Sequence, residues 1–321
     1  MRSATLPALV LAAGLGTRLR PLTYLRAKAA TPVAGRPLIA RVIDRLAALG
    51  LSDLVVNLHH LPATVSGIVG DGSPWNLRVR YSWEQPVLGS AGGPRHALPL
   101  LDADPFYILN ADTLTTVDLA GLQAAHEAWG AQVTLAVIPN PAPARYGGVV
   151  VGDDGRVEGF TRAGDPRPAY HFVGVQVAAH AAFAALPDGV PAESITGVYR
   201  TLIAEQPGAV RAWVCDAEFH DIGTPRECLD TSLTLAAREG GGTVLHGPGT
   251  TVDGSARLRR TVLWNDVRIG SGCHLEDCIV GDGADVPAGF SRRDAVVVPA
   301  ASCPAEAAGE RVGSLLVVPM R

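Results

Sequence analysis

Much that would assign a class at once is missing from these 321 residues. No apolar run approaches the ~18 residues that a membrane helix needs, so no membrane partner is expected. The formal net charge of −4 carries no basic excess, and no nucleic-acid partner is expected. Cysteine is scarce and odd in number: Cys215, Cys228, Cys273, Cys278 and Cys303 include no C-x-x-C pair. That disfavours a disulfide framework or a zinc site and makes reduced thiols in the cytoplasm the expectation. A dinucleotide-binding G-x-G-x-x-G is incomplete, since Leu19 stands at the third glycine and no acidic residue follows at about 20 positions. A Walker A string is absent. The start of the chain, Met1 to Pro7 ahead of the apolar run from Ala8 to Ala13, has the outline of a short signal peptide. Pro7 interrupts its apolar region, and cleavage there would remove the glycine loop that follows, so secretion is not expected.

What is present centres on residues 8 to 37. An apolar run from Ala8 to Ala13 meets Gly14, Gly16, Thr17 and Arg18, the pattern of a buried strand entering a loop. Glycines at 14 and 16 remove side chains that would hold a phosphate away from the backbone N–H groups. Arg18 and Arg20 supply forked cations suited to phosphate oxygens, and Lys28 adds a compact third charge. The stretch suits a polyphosphate. An ordinary strand and turn in an α/β core is the plainer alternative, and the glycine pair alone would favour it.

The length predicts two domains, and 47% apolar with 18% charged residues is ordinary for a globular core. Leu38, Ile39, Val42, Ile43, Leu46 and Leu49 recur at helical spacing between Pro37 and Gly50. Strands are expected near 54–58, 77–82, 106–109 and 133–138. A helix is expected to start near Pro94, and another after Asp118 as cap. This alternation predicts a mixed, mostly parallel Rossmann-like α/β sheet with helices on both faces. Ligands gather at the carboxyl ends of such strands, an edge that Gly14, Asp112 and the 89–93 loop would share. Beyond it, residues 147–160 read as a hairpin with an Asp-Gly turn, 170–178 and 210–214 as strands, and 196–204 as a helix. Thr224-Pro225-Arg226-Glu227 matches a capping box. After Gly242, Val252, Leu258, Ile269, Leu275, Val280 and Val286 fall roughly six apart, like the hexapeptide repeat of a left-handed β-helix of about three turns. The expected division is 1–240 as a catalytic domain, 241–303 as a short left-handed β-helix and 304–321 as a tail. Leu315 to Val318 form an apolar patch with no assigned place.

The string Gly14-x-Gly16-Thr17-Arg18-x-x-Pro21-x-Thr23, then Lys28 and Pro32-Val33-x-Gly35-x-Pro37-Leu38, resembles the signature of the sugar-1-phosphate nucleotidylyltransferases. The resemblance covers residues 8 to about 235 and recurs, in order, at three further places. Gly89-Ser90-Ala91-Gly92-Gly93 is similar to the turn that holds the nucleobase, Asn110-Ala111-Asp112 to the N-G-D that supplies a metal carboxylate, and His220-Asp221-Ile222-Gly223-Thr224-Pro225 to the string that supplies a second. The resemblance implies that Arg18 and Lys28 are catalytic and that Asp112 and Asp221 hold Mg²⁺. The nucleotide would then lie on Leu11, Ala12, Ala13, Gly14, Gly16, Thr17 and residues Gly89 to Gly93. The sugar phosphate would lie on Asn110, Tyr146, Gly147, Thr161, Arg162 and Gly174. Two departures stand out. The family usually flanks its lysine with prolines, where this chain has Ala27 and Ala29, so a more mobile loop is expected. It commonly writes Glu-Lys-Pro after the hairpin, where this chain has Phe160-Thr161-Arg162; Arg162 can replace the lysine, but Thr161 cannot replace the carboxylate. His59, His60 and His96 lack ligand-type spacing and are expected to be structural or on the surface.

The expected reaction is transfer of a nucleotidyl group from a nucleoside triphosphate to a sugar 1-phosphate, releasing pyrophosphate. Mannose 1-phosphate with GTP is the favoured pair, by similarity to the mannose-1-phosphate guanylyltransferases. A UDP- or dTDP-sugar-forming enzyme, such as an N-acetylmuramate-1-phosphate uridylyltransferase, is the alternative. A catalytically silent sensor of nucleotide sugars is a second class, opposed by the presence of Arg18, Lys28, Asp112 and Asp221. A dehydrogenase lacks its third glycine, and an acyltransferase seated in three coils has little room. A homo-oligomer is expected if the solenoid associates through its faces.

Overall fold

The computed structural model describes residues 6–320, and the leader-like residues 1–5 lie outside the described residues. The chain forms two compact units. The first joins the chain up to Gly14 with Arg41–His220, and the second joins Leu15–Ala40 with the chain from Asp221 onward. The glycine run at 240–242 lies inside the second unit.

In the first unit a nine-stranded sheet forms the centre. Its strands are β1 (Ala8–Leu11), β2 (Asp53–Leu58), β3 (Arg78–Trp83), β4 (Phe106–Asn110), β5 (Val133–Pro139), β6 (Val149–Val151), β7 (Val157–Phe160), β8 (Tyr170–Ala178) and β9 (Val210–Val214). β3, β2, β1 and β4 lie side by side and parallel. Antiparallel β8 separates β4 from β5, β9 runs parallel to β5, and the β6–β7 hairpin joins the start of β8. Strands covered on both faces read as continuous apolar runs, which is why Leu9, Val10, Val55, Val56 and Ile108 are all buried. The chain travels from β1 outward to β3 and then returns to lay β4 on the other side of β1. That reversal opens a crevice beyond the carboxyl ends of β1 and β4. The ladder between β1 and β4 runs to that edge, where the Ala111 N–H donates to the Leu11 carbonyl at 3.1 Å.

The helices are α1 (Leu38–Leu49), α2 (Pro62–Val69), α3 (Gly89–Ala97) and α4 (Leu119–Trp129). α1 follows the expected periodicity, and Asp118 caps α4 by accepting the Gly121 N–H at 3.1 Å. α3 departs from expectation, for it begins at Gly89 and encloses Pro94. Tertiary acceptors explain the early start. Glu84 takes the Leu88 N–H at 2.7 Å, and the Ala192 carbonyl takes those of Ala91 and Gly92 at 2.9 and 3.1 Å. Donors satisfied from outside let weak helix formers enter the first turn. The helix expected at 196–204 begins instead as a wide turn over Ser194–Val198 before Tyr199–Glu205.

In the second unit the helix Pro225–Arg238 leads into stacked parallel strands. Val244–His246, Arg257–Leu263, His274–Val280 and Ser291–Pro299 form one ladder; Thr251–Val252, Arg268–Ile269 and Asp285–Val286 form another. Thr261 pairs with Cys278 and Cys278 with Ala295, so each coil takes 17 residues, one fewer than three hexapeptides. Leu263, Val280 and Val297 stack inside, with Leu275, Ile269 and Val286. The apolar patch finds its place here. Leu315–Pro319 pairs antiparallel with Ser291–Pro299 and with Glu310–Val312, covering the edge of the last coil.

Candidate active site

At the crevice of the first unit, the end of β1 is tied down by a side chain of β2. Asn57 Oδ1 accepts the N–H groups of Ala12 and Ala13 at 2.6 and 3.3 Å. Its Nδ2 donates to Glu84 Oε1 at 2.7 Å, and Glu84 Oε2 accepts from Leu88. Asn57 and Glu84 are 3% and 5% exposed, so a polar relay under cover joins β1, β2, β3 and α3. Gly93 completes it by absence of a side chain, for a Cβ there would stand 2.7 Å from Glu84 Oε1. The Ala12 and Ala13 N–H groups are thus committed to Asn57, and Gly14, which follows them, is exposed. Sequence reasoning missed Asn57 and Glu84. Their signal was a polar residue near the end of an apolar strand and a carboxylate just beyond the next.

The segment Gly89 to Gly93 is lined by residues 190–194. Ser90 Oγ donates to Glu193 Oε2 at 2.7 Å and accepts the Ser194 N–H at 2.9 Å. Gly89 has φ +77, and a Cβ at Gly92 would stand 2.6 Å from the Val190 carbonyl. The Ala91 and Gly92 N–H groups serve the Ala192 carbonyl, so a base meeting this turn would find the glycine surface and not these donors.

Asn110 ends β4, followed by the partly exposed Asp112. Gly174 faces Asn110 with φ +74, and a Cβ there would come within 2.7 Å of Asn110 Nδ2. Tyr146, His171 and Phe219 form an aromatic group, with centroids 4.5 Å apart for the two pairs that include His171. Tyr146, Thr161 and Arg162 line one groove of about 680 Å³ with Arg167 and Tyr170. Thr161 Oγ1 accepts the Gly148 N–H at 2.9 Å, and Gly147 packs on the Thr161 carbonyl, so the threonine holds the hairpin together. Arg167 forks onto Asp165 and holds that carboxyl down to about 2.

The second unit carries the cationic loop. Gly16 (φ +59) opens a short turn over Thr17–Leu19, and Thr23 Oγ1 closes the loop by donating to the Gly16 carbonyl at 2.9 Å. Leu19 is buried, which explains why the third glycine of a dinucleotide loop is missing. A Cβ on Gly16 would stand 3.1 Å from Lys28 Cβ, so the loop folds closely onto the lysine stem. Lys28 is half-buried between the buried Ala27 and Ala29. It is also the only lysine in the chain; every other cationic side chain of this kind is arginine. Arg18 is exposed, and Gly223 packs on it: a Cβ at 223 would stand 2.9 Å from Arg18 Nη1. Glu227 accepts the Gly223 N–H at 2.9 Å, one residue earlier than a capping box prescribes, while Thr224 Oγ1 accepts from Glu227. This fixes the backbone just after the partly exposed Asp221. Burial pushes the Cys228 thiol up to about 12, so it stays protonated.

Among the described residues no group of three or more His, Cys, Asp and Glu could hold a metal as a ready cage. Asp112 and Asp221 are each partly exposed carboxylates. Such donors fit magnesium, which takes one or two carboxylates and completes its shell with water and phosphate oxygens. They do not fit zinc.

The nucleotidyl transferase family profile matches residues 7–237, and the chain belongs to that family. Within it, the chain is 29% identical over 299 residues to the mannose-1-phosphate guanylyltransferase of Mycobacterium tuberculosis, covering 90% of this chain and 83% of that protein. Over 112 residues it is 42% identical to the N-acetylmuramate alpha-1-phosphate uridylyltransferase of Neisseria meningitidis serogroup B, covering 35% and 48% of the two chains. The fold is shared with HddC from Yersinia pseudotuberculosis complexed with GMP-PN, at a TM-score of 0.60 and 20% identity, over 72% of this chain and 99% of that one. No described helix is long and apolar enough to cross a membrane.

Proposed function

We propose that this chain is a sugar-1-phosphate nucleotidylyltransferase that joins GTP and mannose 1-phosphate into GDP-mannose and pyrophosphate. The observation that carries the reading is the similarity to the mycobacterial guanylyltransferase, which runs through both the sheet and the solenoid. A sugar-phosphate oxygen attacks the α-phosphorus in line, and the bond to the β-phosphate oxygen breaks. No covalent protein intermediate is needed, so catalysis is positioning and charge neutralisation. In this reading Arg18 neutralises the departing pyrophosphate and Lys28 the α-phosphate. Gly14, Gly16 and Thr17 cradle the triphosphate, and residues 89–93 take the base. Asn110, Tyr146, Gly174 and Arg162 meet the sugar phosphate. Asp112 and Asp221 are the proposed holders of Mg²⁺, which supplies charge neutralisation at the phosphates when bound. Five free thiols, three of them buried, suit the reducing cytoplasm.

The second reading, a uridylyltransferase, draws on the 42% match to the Neisseria enzyme, which spans a shorter stretch. Pyrophosphate release with Mg²⁺ separates them, crossing GTP, UTP, dTTP, ATP and CTP against several sugar 1-phosphates. Release confined to GTP and mannose 1-phosphate supports the first reading. Release with UTP transfers it to the second. Silence with every pair, with nucleotide sugars still raising Tm, contradicts both and favours a sensor.

A further inference from the structure

Two corners of the solenoid make ion pairs with other segments of the second unit. At one corner Arg260, Asp277 and Asp294 occupy equivalent places in successive coils, all with left-handed φ (+47, +50 and +52). They grip the helix Pro225–Arg238, Asp294 through Arg226 at 2.5 Å and Arg260 through Asp230 at 2.8 Å. At the other corner Trp264-Asn265 and Gly281-Asp282 are equivalent pairs in neighbouring coils, and Asp282 Oδ1 accepts the Asn265 N–H at 3.0 Å. Leu25 and Arg26 run into this second corner.

Arg26 grips Asp282 with two prongs, Nε to Oδ2 at 2.5 Å and Nη2 to Oδ1 at 2.7 Å. Its guanidinium lies 5.7 Å from the centroid of the Trp264 ring, itself 1% exposed. Leu25 fills the space that a side chain at 281 would need, since a Cβ there would stand 2.5 Å from Leu25 Cδ1. A planar fork bonded at two atoms and lying over an indole ring is fixed in orientation, which a single ammonium contact could not achieve. Lys28 follows two residues later. Its alanine neighbours place no ring restraint on the backbone, as proline would. Below Arg26 the chain turns at once, Ala30 N–H to Ala27 carbonyl at 2.8 Å and Thr31 N–H to Lys28 carbonyl at 3.1 Å. Anchoring Arg26 therefore sets the point from which the Lys28 stem departs.

We propose that Arg26 and Asp282 are positioning residues through which the solenoid corner aims the Lys28 ammonium. The proposal rests on the nucleotidyl-transfer reading for its effect on turnover, but its geometry can be tested without turnover. Because Lys28 is the one lysine, reductive ¹³C-methylation of the full chain gives a single side-chain signal beside that of the N-terminus. In Asp282→Ala this signal should sharpen and move toward the position of a free lysine; an unchanged signal overturns the proposal, whether or not the chain turns over. Kinetically, Asp282→Ala and Arg26→Ala should lower kcat by roughly ten- to a hundredfold, with both KM values near wild type. Arg26→Gln, which loses the fork and adds no second lysine, should behave as Arg26→Ala does, and it carries both the methyl and the kinetic test if Asp282→Ala does not fold. In a Lys28→Ala background, Asp282→Ala should cost nothing further. A full additional loss there would mean that Asp282 acts on the fold at large, and wild-type kcat in Asp282→Ala would equally overturn the proposal. A wild-type chain without turnover removes the transfer reading and leaves the methyl signal to decide.

Discussion

Asn57 Nδ2 and Glu84 Oε1 meet at 2.7 Å under cover of the sheet, and their other atoms hold the end of β1 and the start of α3. One pair thus fixes two backbone segments at the crevice. Asn57→Ala leaves a buried carboxylate and two N–H groups short of partners, at a cost of about 3 kcal/mol. Urea unfolding should show this loss, and KM for the nucleoside triphosphate should rise. Wild-type stability and KM would remove the pair from the account.

Lys28 offers a sharper chemical test. An arginine in its place keeps the charge but brings a wider, planar head into a half-buried slot. Lys28→Arg should therefore lose roughly 10²–10³ in kcat, as a removed transition-state contact would. Its thermal midpoint should stay near wild type. Retained turnover in Lys28→Arg would show that charge alone suffices.

Gly174 sits at φ +74 with Asn110 against it. Gly174→Ala should cost about 1–2 kcal/mol for the left-handed backbone alone. The added methyl also displaces Asn110, so KM for the sugar 1-phosphate should rise more than KM for the nucleotide. Equal changes in both would place Asn110 outside the sugar-phosphate contacts.

Stability should also depend on pH through His126, which is 4% exposed and bonded to Thr134 Oγ1 at 2.9 Å. Burial holds this imidazole below its usual range, outweighing the pull of Asp104 and Glu127. The unfolded chain takes up the proton near about pH 6.5, before the folded one does. Stability is therefore full above that value and declines as pH falls through the lower folded pKa. Urea midpoints measured from about pH 7.5 down to pH 5 should fall, and His126→Gln should flatten the slope. An equal slope in the variant would assign the pH dependence to other groups.

The parallel core was legible because strands buried on both faces write themselves as apolar runs, and the crevice because glycine loops and Asn110-Ala111-Asp112 follow such runs. What escaped depends on partners distant in sequence. Gly89 to Pro94 look like a turn until Glu84 and Ala192 supply acceptors for the first helical turn. Asn57 and Glu84 are 27 residues apart, and neither announces the other. Arg26 reads as one more loop cation until Asp282, 256 residues later, is folded against it. Thr161 stands in the sequence where a sugar-binding carboxylate is expected, and its hydroxyl instead binds the hairpin backbone.

The most direct test is a ³¹P spectrum of the full chain incubated with Mg²⁺, GTP and mannose 1-phosphate. The expected result is loss of both substrates' signals, with the coupled pair of a nucleoside diphosphate sugar and inorganic pyrophosphate appearing in equal amount. Unchanged substrates, or hydrolysis of GTP to GDP and phosphate with mannose 1-phosphate untouched, would contradict it.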